Sequence, residues 1–431
     1  MLFFPSNQID EKPLSSGDDM LNRKIFMTDT TRTDPANRQT AAWGAVLSMS
    51  LCVALLLASE FMPVSLLTPM ADGLGASEGA TGQAISISGL FALVASLLIT
   101  TVAGQINRKS VLIALTMLML ASLVIVAMAP SFAALITGRA ILGICIGGFW
   151  ALATAIMMRL VPPQDVPRAL SIMYGGQAIA SAFAAPLGAW LGDVFGWRAV
   201  FWALTPLVAV NLVWQLSVLP SLPARRRQNF GTLIDVLARP YFRRGLIAAM
   251  LSWGSAFTMF TYLRPFLEQF NGADATTLSL LLLVLGLAGF IGTWAAGRFV
   301  GQQIAPLLKL PALIMGAITL ALLFTGSSTV MTAALLAGWG GMNTALSVIF
   351  MTWMSRNVGD APEAGGSLMV AAIQGSILLG ALIGGLLLDS FSITATFVGS
   401  VALAALAVIL IGNGQRLLKP VKLTQTLRRW N

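Results

Sequence analysis

The chain has 431 residues, 57% of them hydrophobic and 10% charged, with a mean hydropathy of +0.82 and a net charge of +9. A soluble domain of this length needs roughly a quarter of its residues charged to cover its surface, so the composition excludes a water-soluble fold. There is no histidine, and Cys52 and Cys145 lie inside apolar runs with no pairing pattern, so no metal centre, disulfide or cofactor is expected.

Residues 1–42 are polar and are expected to form a disordered cytoplasmic tail, with Met20 and Met27 as alternative starts. A spanning helix needs about 20 mainly apolar residues. Six such runs follow, at 43–69, 80–104, 110–129, 132–155, 168–192 and 199–219. Residues 220–244 read as a basic central loop. Six more runs occupy 245–267, 275–299, 306–326, 331–354, 364–388 and 393–413, and 414–431 is a basic tail. Backbone groups in lipid must satisfy one another, so the runs are read as helices; the alternation of a lipid-facing barrel is missing. The expected fold is an all-α membrane protein of twelve transmembrane helices, in one bundle over 43–219 and another over 245–413.

Of the 26 Lys and Arg residues, 23 fall on the side that holds both tails, the central loop and the connections after even-numbered runs. Arg108 and Lys109 lie in the first of those connections. The opposite side holds Arg198 with Asp72, Glu78, Asp193, Glu268, Asp274 and Asp389. By the positive-inside rule both termini are cytoplasmic. Because these cations punctuate apolar segments and form no stripe with exposed aromatics, nucleic acid is excluded as a partner.

The two halves repeat weakly. An offset of 196 lays Gly188, Ala189 and Asp193 over Gly384, Gly385 and Asp389; an offset of 202 lays Glu60 and Pro63 over Tyr262 and Pro265. Together with the six-plus-six layout this points to two parallel, pseudo-symmetric repeats. Small residues (Gly175, Gly176, Ala180, Ala184 and Gly188; Gly286, Gly289 and Gly292; Gly380 and Gly384) are expected to give close faces where the halves meet.

A charge inside a span costs a few kcal/mol or more, so it marks function by default. Glu60 is the only carboxylate deep in any run, and with no histidine present it leads as proton carrier by elimination. The alternative is a fixed ion pair with Arg139. Arg139, Gly143, Ile146 and Trp150 share one helical stripe, expected to face the bundle interior. The seventh run carries Trp253, Phe257, Phe260 and Arg264 on one stripe with Tyr262 roughly opposite, and the tenth carries Trp339, Asn343 and Phe350. Two readings stay open for these rings. Either they pack, or they line a cavity where a planar solute stacks and is hydrogen-bonded by Asn343 or Gln374. No acid pair, nucleophile–base set or phosphate-binding loop occurs, so no enzyme is expected.

Several segments resemble the major facilitator superfamily and, within it, the twelve-helix drug:proton antiporters. Leu135, Arg139 and Gly143 resemble the superfamily's arginine motif. Ala185, Pro186, Leu187 and Gly188, then Gly192, Asp193, Gly196, Trp197 and Arg198, resemble the antiporter signature, with Ala185 where glycine is usual. Residues 60–70, Gly147 to Ala151, Met158 to Pro163 and Tyr262 to Pro265 are similar to bacterial sugar and nucleoside efflux proteins, purine ribonucleoside exporters among them. The stretch Gly104 to Lys109 keeps the basic pair but lacks the aspartate that the superfamily usually places before it.

The resemblance covers roughly residues 43–413. It implies a monomeric transporter of the bacterial inner membrane, exporting purine ribonucleosides such as inosine or guanosine by proton antiport with alternating access. Its partners would be small-molecule substrate, protons and lipid. Glu60 would couple protons. Arg139, Trp150, Trp253, Phe257, Tyr262, Arg264, Asn343 and Gln374 would surround substrate. Arg108, Lys109, Gly143, Pro186, Gly188 and Asp193 would serve gating or structural motifs. Drugs or a sugar such as arabinose are the alternative cargo; a channel or membrane sensor is the alternative class.

Overall fold

The computed structural model describes residues 41–223, 230–300, 304–325 and 327–420. The expected disorder of the first 40 residues therefore lies outside the described residues. Among them all regular structure is helical. The principal helices are α1 Trp43–Ser65, α2 Glu78–Val102, α3 Arg108–Ala127, α4 Phe132–Leu160, α5 Val166–Phe195 and α6 Trp197–Val218. Then come α7 Pro240–Phe260, α8 Ala275–Phe299, α9 Leu310–Thr325, α10 Thr329–Asn357, α11 Pro362–Ser390 and α12 Ile393–Ile411. Among the described residues eleven helices are long and apolar enough to cross a membrane, α9 counted with the turn before it as Ile304–Thr325, and α7 joined to Leu263–Asn271 across a 50° bend makes a twelfth.

Local chemistry sets these boundaries. Ser131, Asp274, Ser328 and Ser392 accept hydrogen bonds from the third backbone N–H of α4, α8, α10 and α12, satisfying donors that lipid cannot. Proline breaks α1 and α7. Pro63 and Pro265 lack an N–H and crowd the carbonyl four residues back; α1 ends at Ser65 before resuming over Leu67–Leu74, and α7 ends at Phe260. Two expected boundaries shift. α7 starts at Pro240, where proline suits a first helical turn, and the central loop carries a short helix, Phe230–Leu237. Part of the C-terminal tail also docks: Gln415–Leu417 forms a helical turn with Leu417 fully buried.

The same packing scheme appears twice. α1 packs on α5, α2 on α4 and α3 on α6; α7 packs on α11, α8 on α10 and α9 on α12. Two large apolar cores result, one drawn from residues 45–222 and the other mainly from 236–417. The halves meet through α2 against α11 and α5 against α8, pairs that the repeat interchanges. Large apolar side chains also cover the outside, as at Trp294 (69% exposed), Phe324 (80%) and Val330 (82%). Surface of that kind needs lipid around it.

The expectation that small residues line the boundary between halves holds at Gly286, which abuts the α5 backbone at Ala182. The others named from the sequence mostly serve their own half: Gly176 lies against Ser50, Gly188 against Met62 and Ser65, and Gly384 against Tyr262 and Thr258. On α2 it is Gly79, Gly82 and Gly89 that let α11 and its neighbour α7 come close, through Asp389, Tyr262 and Leu378.

Gly143 and Gly147 allow the closest approach within the first half, because a Cβ there would strike the Ser88 and Ala92 carbonyls of α2. Gly147→Leu is expected to destabilise the protein by about 3 kcal/mol through overpacking. Gly297→Leu, where a Cβ meets open space, should leave the thermal midpoint in detergent unchanged.

Candidate functional site

The fold has two ends. The odd-loop end carries the connections between α1 and α2, α3 and α4, and so on; the central-loop end carries the others. Most of the unusual chemistry lies toward the odd-loop end.

It starts with a missing donor. Pro63 has no N–H to offer the Ser59 carbonyl, which Arg139 of α4 takes over: Nη1 donates to Ser59 O at 2.7 Å. Nη2 donates to Glu60 O at 3.3 Å and Nε to Ala84 O of α2 at 3.2 Å. Arg139 is fully buried. It is therefore a brace joining α1, α2 and α4. Glu60 and Arg139 are not among the close ion pairs of the described residues, though the two charges lie near enough to attract. The arginine meets the main chain of residue 60.

The Glu60 side chain is 4% exposed and turns toward Gln374 of α11, in the other half. Gln374 is itself buried, and its Nε2 has no acceptor at hydrogen-bonding geometry. Next to Glu60, Phe61 carries the contact on: its ring stacks on Phe257 of α7 (centroids 6.3 Å apart, 20°) and meets Phe260 edge-on at 6.2 Å. Phe260 stacks on Trp339 of α10 at 5.9 Å. One turn beyond Trp339, Asn343 is half-buried and hydrogen-bonds to no described residue.

Other expected cavity residues are placed differently. Trp253 is 3% exposed and packs on Phe350 at 5.5 Å. Trp150 is half-buried and stacks on Tyr174 of α5 at 6.1 Å, so the stripe expected on α4 divides between packing and α5. Tyr262 is fully buried; its hydroxyl donates to Ala381 O at 2.7 Å and lies 3.5 Å from Gly79 O, across the seam.

Arg264 belongs to a clamp between the halves. Its Nη1 donates to the Ser65 carbonyl of α1, and its Nε to Glu268 at 2.7 Å. Glu268 accepts from Thr68 at 2.7 Å, and the same hydroxyl lies 2.9 Å from Glu78 of α2. Beside it Asp389 of α11 accepts from Ser77 Oγ at 2.6 Å and from the Gly79 N–H at 3.1 Å. A carboxylate from one half thus caps the first turn of α2 in the other, where the helix dipole favours it. The odd-loop end is closed across the halves.

Sequence reading missed Phe61 and the set Thr68, Ser77, Glu78, Glu268 and Asp389. In the sequence Glu78 and Glu268 stand out only as topology markers, and Asp389 also as the repeat mate of Asp193. Of the residues assigned to gating motifs, Asp193 is exposed. Lys109 Nζ donates to Leu216 O at 3.0 Å and Arg108 to Ile106 O at 3.4 Å, so both side chains bond within the first half. Pro186 leaves the Ala182 carbonyl without its helical donor, at the point where Gly286 of α8 abuts it.

Comparison with known proteins fixes the class. A model of the Major Facilitator Superfamily matches residues 49–372. The chain belongs to the major facilitator superfamily. It is 45% identical over 386 residues to the transcription regulatory protein OpdE of Pseudomonas aeruginosa, covering 89% of this chain and 96% of that one. It is 38% identical over 386 residues to the purine ribonucleoside efflux pump NepI of Shigella sonnei, covering 90% and 97%. Two solved superfamily folds superpose at much lower identity. The nucleoside transporter NupG has 15% identity and a TM-score of 0.72, with 87% of this chain and 100% of that one covered. A D-xylose–proton symporter has 14% and 0.70, with 86% and 98% covered. The chain is thus a multi-pass superfamily transporter of small molecules and not an enzyme.

If the Arg264 clamp holds the odd-loop end shut, Arg264→Ala removes a charge-assisted pair contributing about 2 kcal/mol. Spin labels at Ala76 and Ala273 should then show a longer, broader distance distribution than in the parent protein. An unchanged distribution would assign the closure to other contacts.

Proposed function

We propose that this superfamily member exports purine ribonucleosides by proton antiport, as a monomer in a bacterial inner membrane. Both termini and the central-loop end face the cytoplasm, following the charge sorting. The odd-loop end, closed here, opens outward to release solute. The observation that carries the reading is the meeting of Glu60 and Gln374 across the seam, beside an aromatic shelf built from both halves.

A planar base suits that shelf. Phe61 and Phe257 come from opposite halves, so separating the halves would free two ring faces for stacking. The amides of Gln374 and Asn343 could donate to and accept from a purine edge and ribose hydroxyls, and the buried, unpartnered Gln374 Nε2 favours a polar ligand there. A proton reaching Glu60 removes a buried charge and lowers the cost of a dry, occluded state. Efflux pumps named for purine ribonucleosides, similar over nearly their whole length, support this cargo over drugs or arabinose.

A second reading has one observation in its favour: a relative of higher identity is named a transcription regulatory protein. A membrane sensor would bind solute at the same shelf without moving it.

Glu60→Gln is expected to abolish efflux of labelled inosine driven by a pH gradient in loaded proteoliposomes, while solute counterflow persists. Full gradient-driven efflux by the variant would remove Glu60 from the coupling. Absence of counterflow in the parent protein, despite inosine binding, would favour the sensor.

A further inference from the structure

A second site lies at the central-loop end, away from Glu60 and the aromatic shelf. A cleft of about 470 Å³ opens there between the first turn of α7 and the chain that follows α12. Pro240, Tyr241 and Arg244 line one wall; Gln415, Arg416 and Lys419 line the other. The volume falls within the range of roughly 300–1,000 Å³ that accommodates a small organic group.

The far wall is held in place. Leu417 is fully buried and its carbonyl accepts from the Trp353 indole at 2.8 Å. The Lys419 N–H donates to Asn357 Oδ1 at 2.6 Å. Gly414, at φ +75°, lies against the backbone of Ala305, where no side chain fits. So Arg416 and Lys419, which follow the last span, are fixed opposite Arg244.

The charges facing the cleft are poorly matched within the protein. Neither the Arg244 nor the Arg416 side chain makes a hydrogen bond or ion pair with any described residue. The nearby carboxylate, Asp360, is taken by Arg239 through bonds of 3.0 and 2.6 Å, with Lys419 Nζ at 3.9 Å. Arg239 holds the Asp360 carboxyl down at about 2. That acid is ionised at neutral pH yet already neutralised by its own partner. Its contribution to stability is present above the ordinary aspartate value of about 3.9 and is lost as pH falls through about 2. The first turn of α7 also borders the cleft at Pro240 and Tyr241, where the positive end of the helix dipole favours an anion.

We infer that this cleft binds a net-negative phosphate ester, with Arg244 and Arg416 gripping its oxygens and Lys419 adding charge. Guanidinium groups bind phosphate in bidentate fashion. The level of the cleft favours the headgroup of an anionic phospholipid, since α7 and α12 both leave the apolar zone at this height and basic pockets there recruit such lipids. A free phosphate offers the same chemistry.

The experiment follows the thermal midpoint of the full-length protein in neutral detergent during titration with short-chain phosphatidylglycerol, phosphatidylcholine or inorganic phosphate. It compares the parent protein with Arg244→Gln/Arg416→Gln and Arg244→Lys/Arg416→Lys. Both arginines are exposed, so the unliganded midpoints should stay close. Phosphatidylglycerol should raise the parent midpoint and phosphatidylcholine should not; the Gln pair should need at least about tenfold more lipid, equivalent to about 1.4 kcal/mol, and the Lys pair less than that. A shift given by inorganic phosphate alone, and lost in the Gln pair, supports the site with a soluble ligand. The inference is overturned if no phosphate compound shifts the midpoint, if both lipids act alike, or if the Gln pair responds like the parent.

Discussion

The structure turns on three carbonyls and one guanidinium. Pro63 removes a backbone donor from α1 inside the membrane, where no water can replace it. An orphaned buried carbonyl costs about 1–3 kcal/mol, and a buried charge without partners costs more. Arg139 settles both through Ser59 O, Glu60 O and Ala84 O. The local consequence is that residues 59–61 sit at a helix distortion braced from behind by α4 and α2. That leaves the Glu60 side chain and the Phe61 ring facing the other half.

The second half meets the same problem differently. Pro265 aligns with Pro63, and α7 also breaks, but the α10 position that matches Arg139 at the same offset is Gly341. Instead Tyr262, aligned with Glu60, is buried against Ala381 and Gly79, and Arg264 reaches over to the Ser65 carbonyl on α1. One proline distortion is tied within its own half and the other is tied across the seam. Duplicated architecture therefore yields an asymmetric interface: a fixed side that presents the proposed proton site, and a side whose bonds would break in the proposed opening of the odd-loop end. Asp389 and Asp193 divide in the same way, the first capping α2 across the seam and the second facing outward.

Hydropathy made the architecture legible, because spans of about 20 apolar residues and the sorting of Lys and Arg are whole-chain signals. The site was legible in part. Glu60, Phe257, Asn343 and Gln374 stand out because a polar or aromatic group in an apolar run is conspicuous; the fold turns Glu60 toward Gln374 and sets Phe257 against the neighbouring Phe61, with Asn343 one turn from Trp339. Periodicity tells which face a residue shares, not what that face meets, so it gives no sign that Arg139, Tyr262 and Arg264 bond to backbone. Both prolines that explain their partners were visible, but a freed carbonyl four residues back is legible only once a donor from another helix is known. Thr68, Glu78, Glu268 and Asp389 sit at helix ends, where charges are common and pairing depends wholly on tertiary contact.

In the proposed antiport, solute binding beside the braced turn drives the proton off Glu60. This step is tested most directly by adding inosine to the purified protein in weakly buffered detergent and recording pH. Protons should be released on binding by the parent protein and not by Glu60→Gln. Equal release from the variant, or release unaffected by solute, would contradict it.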